Sequence, residues 1–120
     1  MKKILIADDE PDILKVVKFR LIKAGYEIMM AVNGKEAIEL VQKIKPDLVL
    51  LDFSMPLMNG DEVCKQIKAD PLTKHIPVIM MTASTERAHE THIKMIGADD
   101  RLLKPFEPED LIEKVEKFVR

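Results

Sequence analysis

The sequence predicts an α/β fold, a five-stranded parallel sheet covered by helices on both faces. Five short apolar runs carry the prediction: Ile4–Ala7, Ile28–Val32, Leu48–Leu51, Val78–Met81 and the weakest, Arg101–Leu103. Several are apolar at consecutive positions, the pattern of strands covered on both sides. Stretches with helical period separate them, so strand and helix alternate five times, the order of a parallel α/β sheet.

Each helical stretch has its own punctuation. The first carries Ile13, Val17, Leu21 and Ala24 on one face, with Pro11 in its first turn and Gly25 at its end. The second opens at Asn33 with Glu36 three residues on, a capping-box pattern, and carries Ala37, Leu40, Val41 and Ile44. The third opens at Asn59 with Glu62 and carries Val63 and Ile67. The fourth, over 85–96, is the most polar and has a poorly defined buried face. The fifth starts near Pro108 and carries Leu111, Ile112, Val115 and Phe118. No linker or low-complexity tract divides the 120 residues, so one domain over 1–120 is expected.

Composition narrows the function classes. With a net charge of −2, the chain lacks the basic field that binds nucleic acid unaided. No apolar stretch approaches the ~20 residues that cross a bilayer. The N-terminal apolar run stops at Asp8, too soon for a signal peptide. Cys64 is the single cysteine, which excludes an intrachain disulfide and fits a reducing cytoplasm.

Four of the five strand ends place polar residues on one edge. Strand one runs into Asp8 and Asp9, strand three into Asp52, strand four into Thr82 and strand five into Lys104. Open α/β sheets bind ligands beyond the carboxyl ends of their strands. In the flavodoxin-like order 2-1-3-4-5, taken from known folds and not from periodicity, strands one and three flank the switch point. Asp8, Asp9 and Asp52 then converge. Two unit charges ~4 Å apart repel by about 4 kcal/mol at an effective dielectric of ~20. Lys104 relieves part of this. A hard divalent cation with oxygen ligands suits the remainder, and Mg²⁺ is the first choice. A carboxylate beside Mg²⁺ and a lysine is equipped to accept a phosphoryl group, and the Thr82 hydroxyl is placed to donate a hydrogen bond to it.

These segments resemble the receiver domain of two-component response regulators. The resemblance lies in residues 4–10 (Ile-Leu-Ile-Ala-Asp-Asp-Glu), 50–56 (Leu-Leu-Asp-Phe-Ser-Met-Pro), Asn59-Gly60, 77–83 (Pro-Val-Ile-Met-Met-Thr-Ala), 97–100 (Gly-Ala-Asp-Asp) and 103–106 (Leu-Lys-Pro-Phe), in order along the whole chain. It implies a CheY-like (βα)₅ three-layer sandwich over residues 1–120. It also implies that Asp52 takes a phosphoryl group from a histidine kinase or a small phosphodonor. Asp9 would bind Mg²⁺ (or Mn²⁺) directly, Asp8 mainly through water, and Ser54 by its backbone carbonyl. Lys104 would contact the phosphoryl group and Thr82 would move toward it, and the Lys104–Pro105 bond would be cis. The product is a cytoplasmic signalling switch, catalysing only its own phosphorylation and dephosphorylation. Its partners would be a histidine kinase or phosphotransfer protein and a downstream target or output domain, with no nucleic acid or membrane bound by this domain itself.

One position departs from the family. Three residues before Lys104 the family usually has Tyr or Phe, and here Arg101 stands. A guanidinium stays charged and does not bury as an aromatic ring does. The expectation is a solvent-exposed Arg101 that alters the partner surface of the fourth helix, fifth strand and fifth helix. Two other classes fit less well. An aspartyl phosphatase of similar fold would have its nucleophile after strand one, and a flavin or nucleotide binder would need a Gly-rich or hydroxyl-rich loop where Asp8-Asp9-Glu10-Pro11-Asp12 stands. His89 and His92 read as solvated surface, Met29, Met30, Met80 and Met81 as core filler, and Met55 and Met58 as either packing or a partner contact. Residues 70–77 resemble the matching stretch of single-domain receivers and of those joined to kinases or cyclases. A stand-alone receiver and a piece of a longer regulator both stay open.

Overall fold

The computed structural model describes residues 1–119. Its strands are β1 (Lys3–Ala7), β2 (Glu27–Ala31), β3 (Leu48–Asp52), β4 (Val78–Thr82) and β5 (Asp100–Leu103), all parallel in the order β2-β1-β3-β4-β5. Its helices are α1 (Pro11–Lys23), α2 (Gly34–Ile44), α3 (Gly60–Ala69), α4 (Thr85–Ala88), α5 (Glu90–Ile96) and α6 (Pro108–Val119).

Alternation along the strands divides the core in two. Leu5, Ala7, Val49, Leu51, Val78 and Met80 pack with α2, α3 and α5 on one face. Ile4, Ile6, Leu48, Leu50, Ile79 and Met81 pack with α1 and α6 on the other. Strands β1, β3 and β4 are therefore apolar along their buried lengths up to the terminal Asp52 and Thr82, and β3 and β4 are buried at every position. Strand β2 differs because it is an edge: Met30 is 40% exposed, so it is not the core filler its sequence suggested. Met55 is buried in the first cluster and Met58 packs against that cluster, so both are packing residues. Cys64 is wholly buried there too.

The helices start where their caps are. Asn33 accepts from the Glu36 N–H at 2.8 Å while Glu36 Oε1 accepts from the Val32 N–H at 3.2 Å. Asn59 accepts from the Glu62 N–H at 3.0 Å. On α1 the buried face is Leu14, Val17 and Leu21, with Ile13 partly covered and Ala24 exposed, so the apolar stripe sits slightly round from the expected one.

The fourth helical stretch is two helices. His89 has φ −64° and ψ 140°, an extended conformation that ends α4 and begins α5. Ser84 caps α4, accepting from the Arg87 N–H, and His89 Nδ1 caps α5, accepting from the Thr91 N–H at 3.2 Å. α4 buries none of its residues, whereas α5 buries Ile93 and Ile96. A continuous helix over 85–96 would need apolar anchors along its whole length, and the first half has none.

Candidate functional site

Strand register places the site. Ala7 pairs with Leu51, so Asp8 and Asp52 leave the sheet side by side. Asp52 pairs with Met81, and Thr82 with Leu103, so Thr82 and Lys104 reach the same edge. The Lys104 backbone N–H donates to the Thr82 carbonyl at 2.7 Å, holding β5 there, and the Lys104–Pro105 peptide bond is cis. Behind Asp52 the chain turns tightly into α3. The Gly60 N–H donates to the Phe53 carbonyl at 2.8 Å, and a Cβ on Gly60 would collide with the Asp52 carbonyl. Gly34 plays the same part against Met58 at the start of α2.

Lys104 is the centre of the charge arrangement. Its Nζ donates to Asp8 Oδ2 at 2.8 Å and to Glu10 Oε1 at 3.4 Å, and pairs with Asp52 Oδ1 at 3.1 Å. Burial alone would lower the Lys104 pKa. The hydrogen bonds to Asp8 and Asp52 outweigh burial and raise it above an ordinary lysine. Asp8 is fully buried and its Oδ1 also accepts from the Glu10 N–H at 2.9 Å. Asp52 is 5% exposed. Burial, reinforced by the charge of Asp8, pushes its pKa from 3.8 to about 6 despite Lys104.

One carboxylate oxygen from each of Asp8, Asp9, Glu10 and Asp52 lies within 4.8 Å of the others. Four acids face one lysine, and the donor set is all oxygen, which fits a hard divalent cation. Glu10 belongs to this group and was not singled out by sequence, where it reads as one more acid at a helix start. Ser54 follows in the loop after β3 and lines the cleft with Asp52, Thr82, Ser84, Lys104 and Arg87. Thr82 is buried, and its Oγ1 accepts from the Ser84 N–H at 3.0 Å, which leaves the hydroxyl proton free to donate into the cleft.

A profile of the response regulator receiver domain matches residues 4–116. The chain belongs to the response regulator receiver domain family. It is 40% identical over 119 residues to the phosphate regulon transcriptional regulatory protein PhoB of Pseudomonas aeruginosa, covering 99% of this chain and 52% of that protein. It is 37% identical over 119 residues to the alkaline phosphatase synthesis transcriptional regulatory protein PhoP of Bacillus subtilis, covering 99% and 49%. The receiver therefore spans about half the length of the curated relatives it matches. Among solved structures, the chemotaxis response regulator CheY4 of Vibrio cholerae superposes with a TM-score of 0.91 at 35% identity, covering 98% of both chains.

Two features of this receiver were not legible in sequence. Arg101 is half-buried, lining a groove with Thr85, Ala88, Phe106, Asp110 and Glu113 between α4 and α6, instead of standing free in solvent. His92 is not solvated surface. Its Nε2 lies 2.8 Å from Oδ2 of Asp61, a buried acid on α3 that also receives Arg87 Nη1 at 3.0 Å. Asp61 lies in the first turn of α3, and its partners lie 26 and 31 residues away. No helix among the described residues is long and apolar enough to cross a membrane.

Proposed function

We propose that residues 1–120 form one phospho-accepting receiver whose acceptor is Asp52. The observation that carries the reading is the Lys104 ammonium bridging Asp8 and Asp52 at the strand ends, 2.8 and 3.1 Å away. A carboxylate oxygen of Asp52 attacks the phosphorus of a phosphohistidine on a kinase or phosphotransfer protein, or of a small phosphodonor. The P–N or P–O bond to the leaving group breaks, its electron pair stays on the departing atom, and that atom takes a proton from water. Lys104 holds the Asp52 carboxylate in place and neutralises charge on the transferred oxygens. Thr82 turns its hydroxyl to the bound phosphoryl group. Reversal is hydrolysis: water attacks the phosphorus, the bond to Asp52 breaks, and inorganic phosphate leaves with the proton.

Asp8, Asp9, Asp52 and the Ser54 backbone carbonyl are the groups that would hold Mg²⁺, with Mn²⁺ an acceptable substitute. When bound, the ion neutralises charge on the phosphoryl oxygens. The output is a changed surface over α4, α5, β5 and α6, read by a downstream protein or an attached output domain in the cytoplasm. PhoB and PhoP are transcriptional regulators by name, which makes a DNA-binding output one form such an attachment takes. The domain is a switch with no substrate turnover beyond its own phosphoryl group.

Intact-mass measurement after incubation with a small phosphodonor and Mg²⁺ tests the assignment. The expected result is a labile gain of one phosphoryl group that does not form when Mg²⁺ is withheld and is absent in Asp52→Asn. A gain that survives Asp52→Asn places the acceptor elsewhere.

A further inference from the structure

Arg87 stands between two anionic places. Its Nη1 donates to Asp61 Oδ2 at 3.0 Å, and its guanidinium carbon lies 3.4 Å from the centroid of the Phe53 ring. Phe53 directly follows Asp52, and Arg87 lines the same cleft as Asp52, Thr82 and Lys104. The Asp61 end of this arrangement is poorly satisfied. Arg87 Nη1 and His92 Nε2 both reach the same oxygen, while the buried Oδ1 has no hydrogen-bond partner among the described residues. A buried carboxylate with one bare oxygen is a costly place to hold a guanidinium.

Arg87 and His92 also lie on opposite sides of the break at His89. Asp61 thereby pins both α4 and α5 to α3. α5 buries Ile93 and Ile96, but α4 buries no residue, and Arg87 is the α4 side chain that bonds to α3 through Asp61.

We propose that Arg87 is a second phosphoryl-binding cation, which leaves Asp61 for the phosphoryl group on Asp52 and so releases α4 from α3. This rests on Asp52 being the acceptor. A phosphoryl group carries more charge than one carboxylate oxygen and offers several oxygens to the planar guanidinium fork. The Phe53 ring lies beneath the guanidinium and favours the cation on its face while it exchanges partners. Asp61 keeps its 2.8 Å contact with His92 Nε2 when Arg87 leaves. The device needs no aromatic at position 101, because the report travels through α4, whose C-terminal turn carries Arg87.

The exchange makes the two partners of one ion pair act with opposite signs. The test is titration of the full chain with beryllofluoride in saturating Mg²⁺, comparing wild type with Arg87→Gln, Arg87→Lys and Asp61→Asn, each checked for folding by circular dichroism. Arg87→Gln weakens the mimic about tenfold, the size of one charge-assisted contact, and Arg87→Lys recovers part of the loss. Asp61→Asn, which removes the competitor, tightens it several-fold. Hydrogen exchange over residues 85–96 rises on adding the mimic to wild type, and is already high in Asp61→Asn without it. A merely structural pair would shift both variants the same way, and that result, or no shift in either, overturns the proposal. If wild type takes up no beryllofluoride in an Asp52-dependent manner, the acceptor assignment falls and this inference falls with it. If it does so with like-signed variants, only the role of Arg87 is lost.

Discussion

The Lys104 ammonium binds the Asp8 carboxylate at 2.8 Å more closely than the Asp52 carboxylate at 3.1 Å. Lys104 is thus anchored to one acid and shared with the acceptor, which leaves it free to follow the acceptor's new oxygens when a phosphoryl group arrives.

Lys104→Ala lowers the phosphorylation rate about 100-fold, the usual effect of losing one preorganised charge at a transition state. The same change tightens Mg²⁺, because a competing positive charge has left the four-acid cluster. Single-turnover mass measurements and calorimetric Mg²⁺ titration give the two effects separately, and they run in opposite directions.

Asp52→Asn stabilises the metal-free protein at pH 8 by about 1–3 kcal/mol. The sign follows from a folded pKa raised from 3.8 to about 6. The folded chain holds a proton that the unfolded chain releases, so wild type loses stability as pH rises through that interval and stays less stable above it. The difference between the proteins shrinks toward pH 4 and in saturating Mg²⁺. Urea unfolding at several pH values in a chelator checks it.

Asp100 behaves in the opposite sense. It is buried, which alone would raise its pKa, but Lys114 Nζ at 2.8 Å and the Arg101 N–H at 2.8 Å outweigh burial and hold it below the usual carboxylate range. Its contribution is present above the ordinary aspartate pKa and is lost as pH falls through the lower folded value. Lys114→Met, which cuts this tie between β5 and α6, costs about 1–2 kcal/mol at pH 7, and the cost disappears in acid. Thermal melts of the pair of proteins from pH 7 downward test this.

Gly60→Ala costs about 2–3 kcal/mol and also slows phosphorylation, since the added methyl meets the Asp52 carbonyl and displaces the acceptor. An alanine at Gly25, where nothing lies within 4 Å of the added carbon, serves as the comparison: it strains a backbone with φ +97° but leaves phosphorylation at the wild-type rate.

Much of this architecture was written locally. Leu48–Leu51 and Val78–Met81 are apolar without interruption because their strands are covered on both faces, and that is visible in any short window. The capping pairs Asn33–Glu36 and Asn59–Glu62 announce α2 and α3 for the same reason. Met30 misled because an edge position is decided by strand order, which periodicity does not carry. The break at His89 was hidden because the polar stretch 85–88 gives no phase to a helical period. Asp61 was illegible as a buried acid because both of its partners, Arg87 and His92, arrive from a distant part of the chain.

A helix that buries no side chain is attached to the fold without being part of its interior. Residues in the two apolar clusters are constrained by their neighbours' shapes, whereas on α4 Arg87 is tied to Asp61 and Phe53, and Thr85 and Glu86 stand exposed. Along a lineage, the exposed positions Thr85 and Glu86 are therefore where a new listener can be accommodated by surface substitution alone, while Arg87 and the chemistry at the strand ends stay as they were.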